Sequence, residues 1–171
     1  MTATIGILIM TKNEELNLES CLESCKSFDE IMIVDSFSTD GTEAIARKYN
    51  ARFIQRVFTT HPDQRMFGIN QMNSDWVFIL DADERITPEL EAMIRSTSHS
   101  TDYTAMECPR KNYLMGEWIA HCGWYPDYQT RLIKRDTLTP AEEPVHGRFG
   151  TTGATLKLPV HSPAVLIHYT Y

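Results

Sequence analysis

No stretch of this 171-residue chain approaches the roughly 20 apolar residues that a membrane-spanning helix needs. The N-terminal MTATIGILIMTKNEE has no basic region before its apolar run and no small-residue cleavage site after it. It therefore reads as a buried strand rather than a signal peptide. Positive charge is in deficit, with 16 Lys and Arg against 23 Asp and Glu and a formal net charge of −7. That sign argues against a nucleic-acid backbone as the main partner. It leaves room for a local cationic pocket that takes a phosphate-bearing small molecule. Cysteine is sparse: Cys21, Cys25, Cys108 and Cys122 form no CxxC pair. Cys21 and Cys25 fall four apart on one helix face, where apolar packing is the expected role, and such usage suits a reducing cytoplasm. The GxGxxG fingerprint is missing after the first strand, where GILIMTKNEE stands, which argues against an NAD or FAD enzyme. No internal repeat or low-complexity segment is present.

What is present is alternation. TIGILIM is a continuous apolar strand, and NEELNLESCLESC follows with Leu18, Cys21, Leu22 and Cys25 on one helical face. EIMIVD is a second strand. STDGTEAIARKYN is a second helix, with Asp40 expected as N-cap and Glu43 as its capping-box partner. ARFIQRV, helical PDQRMFGINQMN and buried DWVFIL continue the series, and Thr87 caps a helix that opens with Pro88. This order predicts an α/β fold, a Rossmann-like and mainly parallel sheet with helices on both faces. We expect one domain over 1–171, with a nucleotide-type half over 1–100 and a smaller β-rich half over 101–171.

In open α/β sheets ligands bind outside the carboxyl ends of the strands. Four polar features fall at such ends: Thr11 to Glu14, Asp35-Ser36, His61 to Arg65, and Asp81-Ala82-Asp83. Closely spaced carboxylates such as Asp81 and Asp83 suit a hard divalent cation, Mg2+ or Mn2+, completed by substrate phosphates. Glu84 is the remaining acid of the run and is expected to brace the turn with Arg85. Trp118, in an apolar run, is expected to be packed, whereas Trp124 and Tyr125, between Gly123 and Pro126, suit a sugar-facing surface.

The ordered set MTKNEELNLESCLESC, IMIVDSFSTDGT, DQRMFGIN, DWVFILDADERITPEL, PRKNYLMGEWIAHCGWYPDYQTRLIKR and VLIHYTY resembles family 2 glycosyltransferases with the GT-A fold. Within that family it is most similar to bacterial lipopolysaccharide-core β-glucosyltransferases. The resemblance implies that Asp35 contacts the uracil of a UDP-sugar, and that Thr11, Asn13 and Glu14 form the nucleotide-facing turn. It implies that Gln64 and Arg65 lie along the nucleotide, that Asp81 touches ribose or metal, and that Asp83 and His168 hold Mn2+ or Mg2+. Cations such as Arg65, Lys111 and Arg131 would stabilise the leaving diphosphate, with Lys111, Trp124, Tyr125 and Arg131 on the sugar and acceptor side. An inverting transfer, as the family implies, needs a carboxylate to deprotonate the acceptor hydroxyl. Asp127, which follows the Trp124-Tyr125 pair, is the first candidate.

The late His-Glu pair of the relatives is replaced here by His146-Gly147, so Glu143 or Glu142 is the second candidate for that base. Phe37 stands where the relatives have glycine, and Met66 where they have asparagine. The expected activity is metal-dependent transfer of a hexose, glucose first, from a UDP-sugar to an unknown glycan, lipid-linked or protein acceptor. Cytoplasmic placement is expected, peripheral to a membrane or free of it. Two other readings stay open: a non-catalytic nucleotide- or glycan-binding remnant, and a nucleotidyltransferase. The second is disfavoured by the acidic, glycine-free MTKNEE.

Overall fold

The computed structural model describes residues 2–139 and 150–170. Its first half alternates strand and helix in this order: β1 (Ile5–Thr11), α1 (Leu18–Cys25), β2 (Glu30–Asp35), α2 (Thr42–Lys48), β3 (Arg52–Gln55), α3 (His61–Gln71) and β4 (Trp76–Asp81). A short β5 (Glu84–Ile86) leads into α4 (Pro88–His99). The second half is β6 (Ala105–Leu114), β7 (Glu117–Trp118), β8 (Asp127–Lys134), β9 (Leu138–Thr139), β10 (Gly150–Thr151), β11 (Thr155–Lys157) and β12 (Leu166–Thr170).

Among the described residues the main sheet runs β3-β2-β1-β4-β8-β6-β12-β5, with β7 and β11 paired to β6. The first four strands are parallel, as their continuous apolar runs require. Beyond β4 the sheet becomes mixed: β8 is antiparallel to both β4 and β6, and β12 runs parallel to β6 but antiparallel to β5.

Two apolar layers hold the sheet. On one face Ile5, Ile7 and Ile9 of β1 meet the Leu18, Cys21, Leu22 and Cys25 stripe of α1, with Ala46 of α2 and Leu90 and Ile94 of α4. On the other, Leu8, Val34, Val77 and Ile79 meet Ile69 of α3. Each such aliphatic side chain contributes about 1.5–3 kcal/mol on full burial. Cys21 and Cys25 pack as expected, Cys108 is also buried and Cys122 is exposed; burial pushes the Cys25 and Cys108 thiols up to about 12, so these stay protonated and inert. Gly68 lets α3 approach β1 closely, because a Cβ there would lie 2.4 Å from a buried Leu8 methyl.

Helix starts follow local chemistry. The Thr87 hydroxyl accepts from the Leu90 N–H (3.2 Å), with Pro88 opening α4, and the Thr60 hydroxyl accepts from the Asp63 N–H at the start of α3. At α2 the expected capping box does not form. Asp40 accepts from the Thr42 N–H and hydroxyl, while Glu43 turns outward to Arg47 (3.0 Å), an i,i+4 partner that competes for the same carboxylate. Trp118 also departs from expectation. It lies on the short hairpin strand β7, which pairs with β6 alone among the described residues, and is 41% exposed.

Candidate active site

The parallel register sets three strand ends level. Thr11 pairs with Asp35 and Met10 with Asp81, so the polar residues that close β1, β2 and β4 share one edge. A cleft of about 730 Å³ opens over that edge. Thr11, Glu14, Arg65, Asp81, Asp83, Arg131 and His168 line it, together with Lys12, Ser36, Phe58, His61, Gln129 and Thr130. Of these, Phe58, Gln129 and Thr130 carried no sequence signal, because they reach the cleft only through the way loop and sheet fold around it.

The nucleotide-side residues form a stitched wall. Asp35 is fully buried and accepts from the Thr11 hydroxyl (2.8 Å), the Ser38 N–H (2.8 Å) and the Gln55 amide (3.3 Å). Asn13, with φ 55°, accepts from the Thr39 N–H (2.9 Å) and so ties the turn after β1 to the loop after β2. Lys12 donates to the Ser36 and Phe37 carbonyls (3.0 and 2.6 Å). Phe37 has φ 60°, a left-handed backbone that costs a non-glycine residue about 1–2 kcal/mol. Burial raises the Glu14 carboxyl above its ordinary value, against the opposing hydrogen bond from Asn17. Gln64 is buried beneath this wall and donates to the Ser36 hydroxyl at 3.4 Å. Asp35 and Gln64 thus lie behind the cleft surface, Asn13 is exposed beside its lining, and Thr11, Glu14 and Arg65 lie on it.

The acid run divides into two environments. Asp81 meets Arg131 (2.7 Å) and Arg65 (3.6 Å). Burial works against its ionisation, but Arg131 and then Arg65 outweigh it and hold the carboxyl far below the ordinary range. Glu84 and Arg85 both brace the turn, though not by pairing side chain to side chain; Arg85 donates to the carbonyls of Ala82, Glu84 and Asn17. The Glu84 carboxylate is instead fully buried, accepting from Arg131 (2.5 Å), Arg110 (2.9 Å) and the Asp81 N–H (3.0 Å). Burial leaves Glu84 above its ordinary value despite both arginines, while Asp81 and Glu84 hold Arg131 firmly charged despite burial. Arg131 is only 2% exposed, so its charge is committed to these two acids and only its edge reaches the cleft.

Asp83 has a different neighbour. Its Oδ2 lies 3.2 Å from His168 Nε2, and its carbonyl accepts from the Tyr169 N–H (3.0 Å). The other ring nitrogen of His168 lies 2.6 Å from Asn112 Oδ1. Asp83 and His168 come from segments 85 residues apart and present one oxygen and one nitrogen donor at the cleft. This mixed pair fits a divalent cation that draws its remaining ligands from a substrate. Among the described residues no three His, Cys, Asp or Glu side chains enclose a cation without such help.

Asp127 stands outside the cleft lining, its carboxylate bound by Arg110 (2.6 and 2.8 Å), Gln129 (2.7 Å) and Asn112 (3.3 Å). Burial opposes ionisation, but Arg110 and these amides hold it below the ordinary carboxylate value. Near it stands an aromatic group. Trp118 and Tyr125 meet edge to face (centroids 5.4 Å apart), Lys111 Nζ lies 4.6 Å over the Trp118 ring, and Trp124 is 38% exposed. Glu142 and Glu143 lie outside the described residues.

A parallel first half continued by a mixed, largely antiparallel second half, with an Asp-x-Asp at the end of β4, matches the GT-A class of fold. The chain belongs to glycosyl transferase family 2, whose model matches residues 6–154. It is 33% identical over 137 residues to the lipopolysaccharide core biosynthesis glycosyltransferase LpsC of Rhizobium meliloti (strain 1021), covering 77% of this chain and 51% of that one. It is 36% identical over 105 residues to the uncharacterized glycosyltransferase RC0292 of Rickettsia conorii (60% and 37% covered). The chain thus spans about half or less of the length of these relatives.

Glucosyl-3-phosphoglycerate synthase of Mycobacterium tuberculosis, solved with Mg2+ and UDP, shares the fold at TM-score 0.68. That match covers 99% of this chain and 72% of that one at 18% identity. The same enzyme with Mn2+, UDP and glucosyl-3-phosphoglycerate gives 0.60 over 80% and 58% at 20% identity. No helix among the described residues is long and apolar enough to cross a membrane.

Proposed function

We propose that this chain transfers a hexose, glucose as the first expectation, from a UDP-sugar to an acceptor hydroxyl with the help of Mn2+ or Mg2+. One observation carries the reading: Asp83 and His168 converge to 3.2 Å at the mouth of a cleft whose floor is the aligned ends of β1, β2 and β4. The bound UDP and metal in the fold neighbours support the donor class, and the name of the Rhizobium relative favours a lipopolysaccharide-core sugar as acceptor.

When bound, the cation would supply Lewis-acid stabilisation of the leaving diphosphate. The chain's own residues do the rest. Thr11, Asn13, Glu14, Asp35 and Gln64 shape the nucleotide wall, and Arg65, paired with Asp81 at 3.6 Å, lines the cleft. Its guanidinium is placed to meet a phosphate oxygen. Asp81 keeps Arg65 and Arg131 in place and turns toward the ribose side. Lys111, Trp118, Trp124 and Tyr125 offer aromatic faces and a charge to a sugar. Proton acceptance suits Glu143 or Glu142 better than Asp127, because a carboxylate held down by an arginine and two amides is a weak base.

The test is thermal unfolding with UDP, with and without Mn2+. Wild type is expected to gain several degrees only with both, and Asp83→Ala to lose the metal-dependent part. UDP released from UDP-glucose marks turnover, which Glu143→Gln should reduce more than Asp127→Asn. A metal-independent response with Asp83→Ala unchanged would sink the reading, and binding without turnover under any metal would identify a non-catalytic module.

A further inference from the structure

We infer that Asn112 is a positioning residue that selects the tautomer of His168, keeping Nδ1 protonated so that the bare Nε2 lone pair stands beside Asp83. The inference rests on the reading of Asp83 and His168 as cation ligands, and it adds a residue which that reading does not require. Asn112 is 4% exposed on β6, and the parallel register pairs it directly with His168 on β12.

The donor and acceptor pattern around Asn112 fixes which of its ends faces His168. The Trp124 carbonyl can only accept, so the nitrogen 2.9 Å from it must be the amide NH2 of Asn112. That NH2 also reaches the Asp127 carboxylate at 3.3 Å, a second group that accepts. The amide oxygen therefore faces His168, 2.6 Å from Nδ1. An amide oxygen has no hydrogen to give, so the ring must supply one from Nδ1. The Asp83 carboxylate also only accepts, so an imidazolium would donate to both neighbours; in the neutral ring the single N–H stays at the shorter Asn112 contact (2.6 Å against 3.2 Å), which leaves Nε2 as the unprotonated donor atom. Ring orientation and lone pair are thus set by protein contacts before any cation arrives. Partners of this kind typically contribute ten- to hundredfold in metal affinity.

The same amide holds the carbonyl of Trp124. One buried side chain therefore links the loop that carries the sugar-facing aromatics to the imidazole on the cation side. Exchanging the amide nitrogen and oxygen would set oxygen against the Trp124 carbonyl and the Asp127 carboxylate, so the two ends are not independently adjustable.

Long-range 1H–15N correlation on 15N-labelled, metal-free protein, at a pH where the ring is neutral, reads the tautomer, with His168→Gln assigning the signal. Wild type is expected to show the Nδ1–H form, and Asn112→Ala to shift toward Nε2–H. Asn112→Asp, which keeps an acceptor oxygen, should retain Nδ1–H. Mn2+ affinity with UDP, followed by electron paramagnetic resonance, should fall about tenfold or more in Asn112→Ala and show no further fall when Asn112→Ala is added to His168→Ala.

A wild-type Nε2–H ring, or an equal loss of affinity with His168 already absent, would overturn the inference. A wild-type Nδ1–H ring in a protein that binds no Mn2+ with UDP would instead overturn the cation reading and leave the tautomer assignment standing. If Asn112→Ala does not fold, the wild-type spectrum decides alone.

Discussion

Asp81, Asp83 and Glu84 stand within four positions, yet each has different partners. Asp81 faces two arginines at the cleft, Glu84 is sealed against two arginines beneath it, and Asp83 faces an imidazole. Adjacent residues on a strand end point to different sides, so one acidic run can serve a buried network and an open site together. Asp127 shows the same logic in reverse, since its sequence neighbours suggested a base and its spatial neighbours hold it ionised.

That difference is measurable. The folded-state value of Asp127 lies below its unfolded value, so its contribution to stability is complete above the ordinary aspartate value near 4 and is lost as pH falls through the lower folded value. Asp127→Asn is expected to cost about 1–2 kcal/mol at neutral pH. Paired denaturant titrations should show the two proteins converging as pH falls well below the ordinary aspartate value.

At the scale of elements, α3 matters most to the site because it carries Gln64 and Arg65 to the strand ends. Its depth on the sheet is set by Gly68 over Leu8. Gly68→Ala gains about 1 kcal/mol of helix propensity but pushes a methyl into a buried leucine, an overpacking cost of about 1–3 kcal/mol. A net loss of up to about 2 kcal/mol is expected by urea unfolding, with weaker UDP binding as Arg65 is displaced. A neutral effect on both would mean that Leu8 moves aside freely. The α3 and α4 starts were legible because Thr, Pro and the apolar period are local signals. The capping box at α2 was not, since Arg47, one turn downstream, offered Glu43 a charged partner.

Across the whole molecule, one buried charge network joins the parallel half to the antiparallel half. Asp81 and Glu84 belong to β4 and β5, Arg131 to β8 and Arg110 to β6. Removing one partner strands the others without water. Arg131→Met is expected to destabilise by about 3–5 kcal/mol, whereas replacing the set by apolar residues of like volume should cost far less. Calorimetry on both variants checks this. Similar losses for the two would show that the charges themselves, rather than an unpaired remainder, hold the halves together.

Continuous apolar strands separated by amphipathic helices admit one economical arrangement, a parallel sheet with its ligand edge at the carboxyl ends. For that reason β1 to β4, both helix layers and the polar tips Thr11, Asp35 and Asp81 were determined by the sequence alone. Tertiary structure decided the pairings made across long separations. Arg131 meets Asp81 over 50 residues and Glu84 over 47, and His168 meets Asn112 over 56 and Asp83 over 85. Such contacts depend on strand order and register in a mixed sheet, which hydrophobic periodicity does not encode. The division of the three acids between a sealed network and an open pairing with His168 is therefore a property of the fold.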